Sequence, residues 1–332
     1  MATQKAINEV VEILRGYDRF IVVSHVNPDG DAVGSLLGLY LALKEMGKQA
    51  WALAKEPLPE IFDFLPGSGD VLVGEVAEEV NPQWIVSLDV ASRERISGSI
   101  DGFRDGVKVI NIDHHPTNPH FGDVNLVEPA LSSTAELVFR VLRRLVHTVS
   151  PQVGMCLYTG IITDTGCFRY AGVTSETLNL AAEILNTGFD PYVVSRSLFE
   201  EYPLSRLFLE RVMLERIQVL LDGRVLVSVL YPDDFDRLGA AMSEAENLVN
   251  RLRENQGIEV GILFIGLPSG AYRVSFRSKG RVDVSSVAKT LGGGGHRGAA
   301  GLRSELPFEE LKSRIIELVG RALEDKGSGL VS

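Results

Sequence analysis

Short apolar runs that stop abruptly at charged residues recur through the first half of the chain. Phe20 to Val23 is the first, and its β-branched character predicts a buried strand of a parallel sheet. It ends at Ser24-His25, and Asn27-Pro28-Asp29-Gly30 then forces a turn. Ala32 to Met46 follows as a helix, rich in Leu and Ala and free of proline. Ahead of this unit, Thr3 to Tyr17 has the pattern of an amphipathic helix; after it, Gln49 to Ala54 reads as a short strand and Ile61 to Leu65 as a brief helical piece. Trp84 to Val90 and Val107 to Ile112 are further strands, ending at Asp89 and at Asp113-His114-His115. Ser132 to Val146, Pro151 to Thr163 and Ser175 to Asn186 are helices; in the first, Ser133 caps and Glu136 closes a capping box. This alternation predicts an α/β fold with a doubly wound parallel sheet.

Tyr192 to Leu221 is helical and mixed in charge, broken at Pro203 into two helices. Beyond it, strands near Arg224 to Leu230, Ile258 to Leu267 and Tyr272 to Ser278 combine with helices near Ala241 to Asn255 and Phe308 to Leu323 into a smaller α/β domain. The expected organisation is a catalytic domain over 1–190, a helical connector over 191–221 and a substrate-binding domain over 222–332, with a frayed tail from Lys326.

Composition narrows the class. Of 332 residues 45% are hydrophobic and 23% charged, as in globular proteins, and no apolar stretch approaches the ~18 residues of a membrane span. The N-terminal helix carries Glu9 and Glu12 and lacks a signal peptide's pattern, and two cysteines make no disulfide framework, so a cytoplasmic protein is expected. A net charge of −11 argues against coating long duplex nucleic acid, yet Arg251 to Arg303 holds nine basic residues against three acidic ones. That split suits an acidic centre in one domain and an anion-holding surface in the other.

The chemistry gathers at the ends of the predicted strands and helices: His25, Asp29 and Asp31; Asp89; Asp113-His114-His115; and Asp164. Parallel strands deliver these side chains to one sheet edge, where open α/β sheets carry their sites. Carboxylates crowded there repel one another unless cations sit among them. A helix-capping role for Asp29 and Asp31, with His25 filling space, is the competing reading. Mixed imidazole and carboxylate ligands suit Mn²⁺ better than Mg²⁺, with Zn²⁺ and Fe²⁺ left open. In the second domain, the glycine run Gly292 to Gly295 lets backbone N–H groups approach an anion, with His296 and Arg297 adjoining, and Arg277-Ser278-Lys279 follows a strand as a further phosphate clamp. A plain turn is the competing reading of the run. Trp51 and Trp84 fit strand packing, Cys156 fits inert core, and His120 and His147 fit surface positions.

NPDGDAVGS, the strand-end Asp89, the Asp-His-His triplet, the DTG at Asp164 and GGGGHRGAAG from Gly292 together resemble the DHH phosphoesterase superfamily with its associated C-terminal domain. The resemblance covers nearly the whole chain, and the length and domain pair are most similar to the NrnA-type branch. It implies a metal-dependent oligoribonuclease for very short RNA that also removes the 3′-phosphate of 3′-phosphoadenosine 5′-phosphate (pAp). It implies His25, Asp29, Asp31, Asp89, His114 and Asp164 as ligands of two divalent ions, best Mn²⁺, with Asp89 bridging. Asp113 then orients an imidazole, His115 lies beside the scissile phosphate, and a hydroxide activated by two metals is the nucleophile. Arg277, Ser278, Gly293, Gly294, Gly295, His296 and Arg297 hold the substrate.

The nearest rival is a phosphodiesterase for linear or cyclic dinucleotides such as pApA. Inorganic pyrophosphatases lack the GGGGH run, and RecJ-type exonucleases are longer. A non-catalytic nucleotide sensor should have lost a ligand, and every expected position is filled. Expected partners are short RNA, dinucleotides and pAp, with no membrane and no long duplex nucleic acid; a homodimer is left open.

Overall fold

A computed structural model describes residues 2–74, 80–97 and 107–324. The tail from Lys326 to Ser332 lies outside the described residues. The chain divides into two compact units, Met1–Glu201 and Tyr202–Ser332, so the boundary falls within the segment read as a connector.

The first unit carries strands β1 (Arg19–Val23), β2 (Gln49–Ala54), β3 (Leu72–Val73), β4 (Trp84–Leu88), β5 (Lys108–Asp113) and β6 (Val124–Val127). They form one parallel sheet in the order β3-β2-β1-β4-β5-β6. This is the order of doubly wound sheets, whose connections turn opposite ways from β1 and from β4, leaving a crevice at the strands' carboxyl ends. Helices α1 (Ala2–Gly16), α2 (Gly30–Glu45), α3 (Thr134–Leu145), α4 (Pro151–Asp164), α5 (Ser175–Leu185) and α6 (Pro191–Phe199) share a core with the face carrying Phe20, Val22, Val86 and Ile110. The opposite face, with Ile21, Val23, Ile85 and Val109, packs against Trp51, Val80, Val107 and Phe121. Period-two alternation places neighbouring residues of each strand on opposite faces, and burial on both sides explains why the strands are apolar throughout. β3, of two residues, and the edge strand β6, of four, are too short for the pattern to reveal.

Helix α2 is buried along almost its whole length, which its weak amphipathicity foretells. It approaches α4 closely because a Cβ on Gly34 would stand 2.4 Å from the Cys156 carbonyl oxygen, and one on Gly160 would stand 2.8 Å from an Asp31 oxygen. Glycine at these two positions is what brings the start of α2 beside the end of α4.

The second unit contains α7 (Leu204–Glu215), β7 (Gln218–Leu220), β8 (Val225–Leu230), α8 (Pro232–Leu238), α9 (Val249–Arg253), β9 (Val260–Gly266), β10 (Tyr272–Ser278), α10 (Val284–Thr290), β11 (Gly294–His296), β12 (Ala299–Ser304) and α11 (Phe308–Glu324). The expected helix from Ala241 to Asn255 is instead a short 3₁₀ turn at Met242–Ala245 followed by α9. The sheet runs β11-β12-β10-β9-β8-β7, mixed, with β8 and β9 parallel. One face, with Val227, Ile262, Phe276 and Leu302, packs on α10 and α11; the other, with Leu226 and Leu263, packs on α7 and α9.

Candidate metal centre

Four element ends meet at the crevice. The loop from β1 to α2 supplies His25 and Asp29: His25 turns Nδ1 to the Val26 carbonyl at 2.9 Å and Nε2 toward Asp29 Oδ1 at 3.9 Å and Asp89 Oδ2 at 3.6 Å. Asp29 also caps α2, its Oδ1 accepting from the Asp31 and Ala32 amides at 3.1 Å each, so capping and membership of the cluster coexist. Asp31 is different. Its carboxylate is fully buried and accepts from the first amides of α3, Thr134 N at 2.6 Å and Ala135 N at 2.9 Å. The Ser35 hydroxyl adds a third donor at 3.2 Å. Asp89 ends β4 in the left-handed region (φ 59°), a conformation aspartate tolerates better than most residues, and its oxygens face opposite ways. Oδ2 meets His25, while Oδ1 lies 3.6 Å from His114 Nε2 and accepts from the Thr134 hydroxyl at 3.0 Å.

At the end of β5, His114 sets Nδ1 against the Leu131 carbonyl at 3.2 Å and Nε2 at 3.4 Å from Asp164 and 3.9 Å from Asp31. Potential ligand atoms thus group as His25, Asp29 and Asp89; as Asp31, His114 and Asp164; and as Asp89, Asp113 and His115, each trio within 4.8 Å. Asp113 bonds His115 Nδ1 at 2.7 Å and accepts from Asn118 Nδ2 at 2.6 Å, so the imidazole it orients is that of His115. His114 is oriented instead by a backbone carbonyl.

The substrate residues named from the sequence divide in the second unit. Arg277 lies on the face of β10 opposite Phe276, with a guanidinium contact to Asn247 at 3.3 Å. Ser278, one position on, turns to the buried face, donates to the Val282 carbonyl at 2.7 Å and accepts from the Gly280 amide. Adjacent residues on a strand cannot share a face, and we leave Ser278 out of the substrate set. The glycine run forms a hairpin, β11 pairing with β12 from Gly294↔Gly301 to His296↔Ala299. A Cβ on Gly293 would stand 2.3 Å from the Gly301 carbonyl oxygen, and Gly295 adopts φ 137°, so both serve the hairpin itself. Beside Gly294 there is open space. Arg297 donates from Nε and Nη2 to the Gly280 carbonyl at 3.2 and 3.1 Å.

The profile of the DHH family, N-terminal domain, matches residues 19–161, and that of the DHHA1 domain matches residues 222–325. Over 322 residues the chain is 35% identical to the bifunctional oligoribonuclease and PAP phosphatase NrnA of Thermus thermophilus, covering 96% of this chain and 94% of the relative. The chain belongs to the DHH family. It is 29% identical to the Bacillus subtilis protein of the same description, covering 88% of this chain and 91% of that one. Among solved structures, an exopolyphosphatase-related protein from Bacteroides fragilis superposes with a TM-score of 0.84 at 28% identity, covering 97% of this chain and 96% of the other.

The electrostatics of this DHH-family centre test whether cations fit it. Among the described residues, every ion pair of Asp29, Asp31, Asp89 and Asp164 is to a histidine, and none is to lysine or arginine. Burial and the neighbouring Asp89 and Asp164 charges push Asp31 well above the usual carboxylate range, and burial also raises Asp164. Asp89 is buried too, but the His25 hydrogen bond and the adjoining imidazoles hold it far below that range. Burial alone would lower His25, yet Asp89 and Asp29 outweigh it and leave it at about 9; the same opposition raises His114. Carboxylates and imidazoles crowded in this way mark a place that divalent cations suit, with nitrogen and oxygen donors already oriented. The donor set fits.

Sequence reasoning missed Thr134 and Asn118. Thr134 touches two of the predicted ligands at once, through its amide and its hydroxyl. The signal was present in the SSTAE opening of α3, but that opening reads as a cap. Ser133 does cap, accepting from the Glu136 amide at 3.3 Å. Glu136 does not close the box as expected: its carboxylate takes the Ser132 hydroxyl.

Proposed function

We propose that the protein is a divalent-metal-dependent phosphoesterase that degrades very short RNA to mononucleotides and removes the 3′-phosphate of pAp. The observation that carries this reading is Asp89, whose two oxygens face the His25–Asp29 group and the Asp31–His114–Asp164 group respectively. The names of the relatives from Thermus thermophilus and Bacillus subtilis support the substrate class. His25, Asp29 and Asp89 would hold one ion; Asp31, His114 and Asp164, with Asp89 shared, would hold the second. Mn²⁺ suits this mixed donor set. When bound, such ions neutralise phosphate oxygens and lower the pKa of a water to about 7.

The remaining work falls to the chain's own groups. Burial lowers His115, but its bond to Asp113 and the nearby Asp89 charge outweigh that and raise it above an ordinary imidazole, which favours its protonated form. With Nδ1 committed to Asp113, the Nε2 proton is the one it delivers to the leaving oxygen. Asn118 holds Asp113 from the other side and keeps that pair in register. Residues 1–190 carry the chemistry, and residues 222–332 hold substrate through Arg277, the Gly294 opening and His296, with 191–221 connecting them.

The test is hydrolysis by purified protein with Mn²⁺ of pAp, pApA, RNAs of two to about twenty nucleotides, and pyrophosphate. Turnover of pAp and dinucleotides, falling as RNA lengthens, is expected. Equal rates on the shortest and longest RNA, or activity on pyrophosphate alone, would overturn the reading.

A further inference from the structure

The mixed sheet of the second unit is covered unevenly. On the face that carries Leu226, Leu230, Leu263 and Ile265, helices α7, α8 and α9 pack over β8 and β9. Directly opposed residues of neighbouring strands share a face. The register therefore extends this face from Ile265 to Arg273 and from Leu263 to Ser275, and across the next pairing to Arg303 and Gly301 of β12. Burial alternates to match: Val274, Phe276, Ala300 and Leu302 are buried beneath, while the residues of the upper face keep solvent exposure. Beyond β9 this face is thus only partly covered: its β10 residues are half-buried, with Arg273 and Arg277 touching Met242 and Asn247, and Arg303 is exposed. Ser275 and Gly301 make its small-residue middle, and Arg277 and His296 stand at one end.

The other end holds Arg273 directly across from Arg303. Like charges in that relation are destabilising by themselves. Glu246 offsets Arg273 only at 3.8 Å from Nη1, and the Met242 carbonyl accepts from Nη2 at 3.4 Å. Arg277 stands four positions beyond Arg273 on one strand, about 14 Å away at ~3.4 Å per residue. The two phosphates of pAp are attached to a single ribose and cannot span that length. An RNA chain can, since it adds one phosphate with each nucleotide.

We propose that Arg273 and Arg303 form a second phosphate subsite, which takes an internucleotide phosphate of an RNA chain whose other phosphate is held at Arg277. The inference rests on the short-RNA reading above and deepens it. Paired guanidinium groups hold a phosphate through several charge-assisted hydrogen bonds. A groove of this kind follows a single-stranded backbone without reading its sequence. The subsite explains how one platform serves two substrate classes: pAp uses the Arg277 end, and oligonucleotides use both ends.

The experiment measures dissociation constants in EDTA, where hydrolysis is stopped. Its probes are pAp and a fluorescein-labelled pentaadenylate, bound to the wild type and to the double variant Arg273→Gln, Arg303→Gln. The ratio of the pentaadenylate constant to the pAp constant should rise at least ~10-fold in the variant, and the salt dependence of pentaadenylate binding should fall by about one unit of slope per lost phosphate contact. An unchanged ratio overturns the subsite, whether both constants move together or neither does. A ratio that rises in a protein whose wild type hydrolyses neither compound keeps the subsite and removes the catalytic reading instead. Circular dichroism of the double variant confirms that it is folded.

Discussion

Thr134 shows how much of the centre rests on residues that would touch no metal. Its amide donates to Asp31 at 2.6 Å and its hydroxyl to Asp89 at 3.0 Å, so one residue fixes the rotation of two carboxylates on different elements. Groups that orient ligands typically account for 10- to 100-fold in metal affinity. Thr134→Val keeps the shape and the amide but loses the hydroxyl, and Mn²⁺ affinity measured by calorimetry should fall ~10-fold or more; Thr134→Ser should bind nearly as the wild type does. Equal affinity in all three proteins would make Thr134 merely structural. His25 gives a second prediction at this scale. Its folded pKa of about 9 exceeds the ordinary 6.5, so in metal-free protein its stabilising contribution is complete below pH 6.5 and is lost as pH rises through 9. Asp31 and Asp164, also raised, act in the same direction as they ionise. Metal-free protein should therefore melt at a lower temperature at pH 9.5 than at pH 7, and saturating Mn²⁺ should abolish most of that difference. A flat profile without metal would contradict the charge distribution described.

Among the elements, the strands that end at the site were legible because each is an apolar run cut off by a charged residue. Val23 before Ser24-His25, Leu88 before Asp89, and Ile112 before Asp113 all show it. The hairpin of β11 and β12 was not legible, because glycines carry no side-chain alternation to read. Ser278 differs: the alternation in Tyr272 to Ser278 is legible and puts Ser278 on the buried face with Val274 and Phe276, away from its neighbour Arg277. The capture of Asp31 by α3 joins positions 103 and 104 residues apart, and no local pattern encodes such a contact. The α2–α4 packing yields a prediction of its own. Gly160→Ala places a methyl group 2.7 Å from Ala135 Cβ and 2.8 Å from Asp31 Oδ1, and neither neighbour is the end of a flexible chain. Overpacking of this kind costs about 1–3 kcal/mol. Chemical denaturation should show that loss, and Mn²⁺ affinity should weaken with it because Asp31 is displaced. A variant as stable as the wild type would mean that the helices separate without cost.

At the scale of the molecule, the two units show the charge asymmetry seen in composition. The carboxylates gather at the switch point between β1 and β4, while the arginines of β10 and β12 line a sheet face in the other unit. No helix among the described residues is long and apolar enough to cross a membrane. The order of elements and the presence of two units were readable because hydrophobic periodicity survives over whole domains. Which side chains face one another across those elements was not, since that depends on register and on close approach at positions such as Gly34. Electron paramagnetic resonance of metal-stripped protein titrated with Mn²⁺ tests directly whether Asp89 joins two cation sites into one centre. Two ions per chain with an exchange-coupled signal are expected, and for Asp89→Ala a folded protein in which that coupling is lost. A single uncoupled ion in the wild type, or coupling that survives in Asp89→Ala, would contradict the shared role of Asp89.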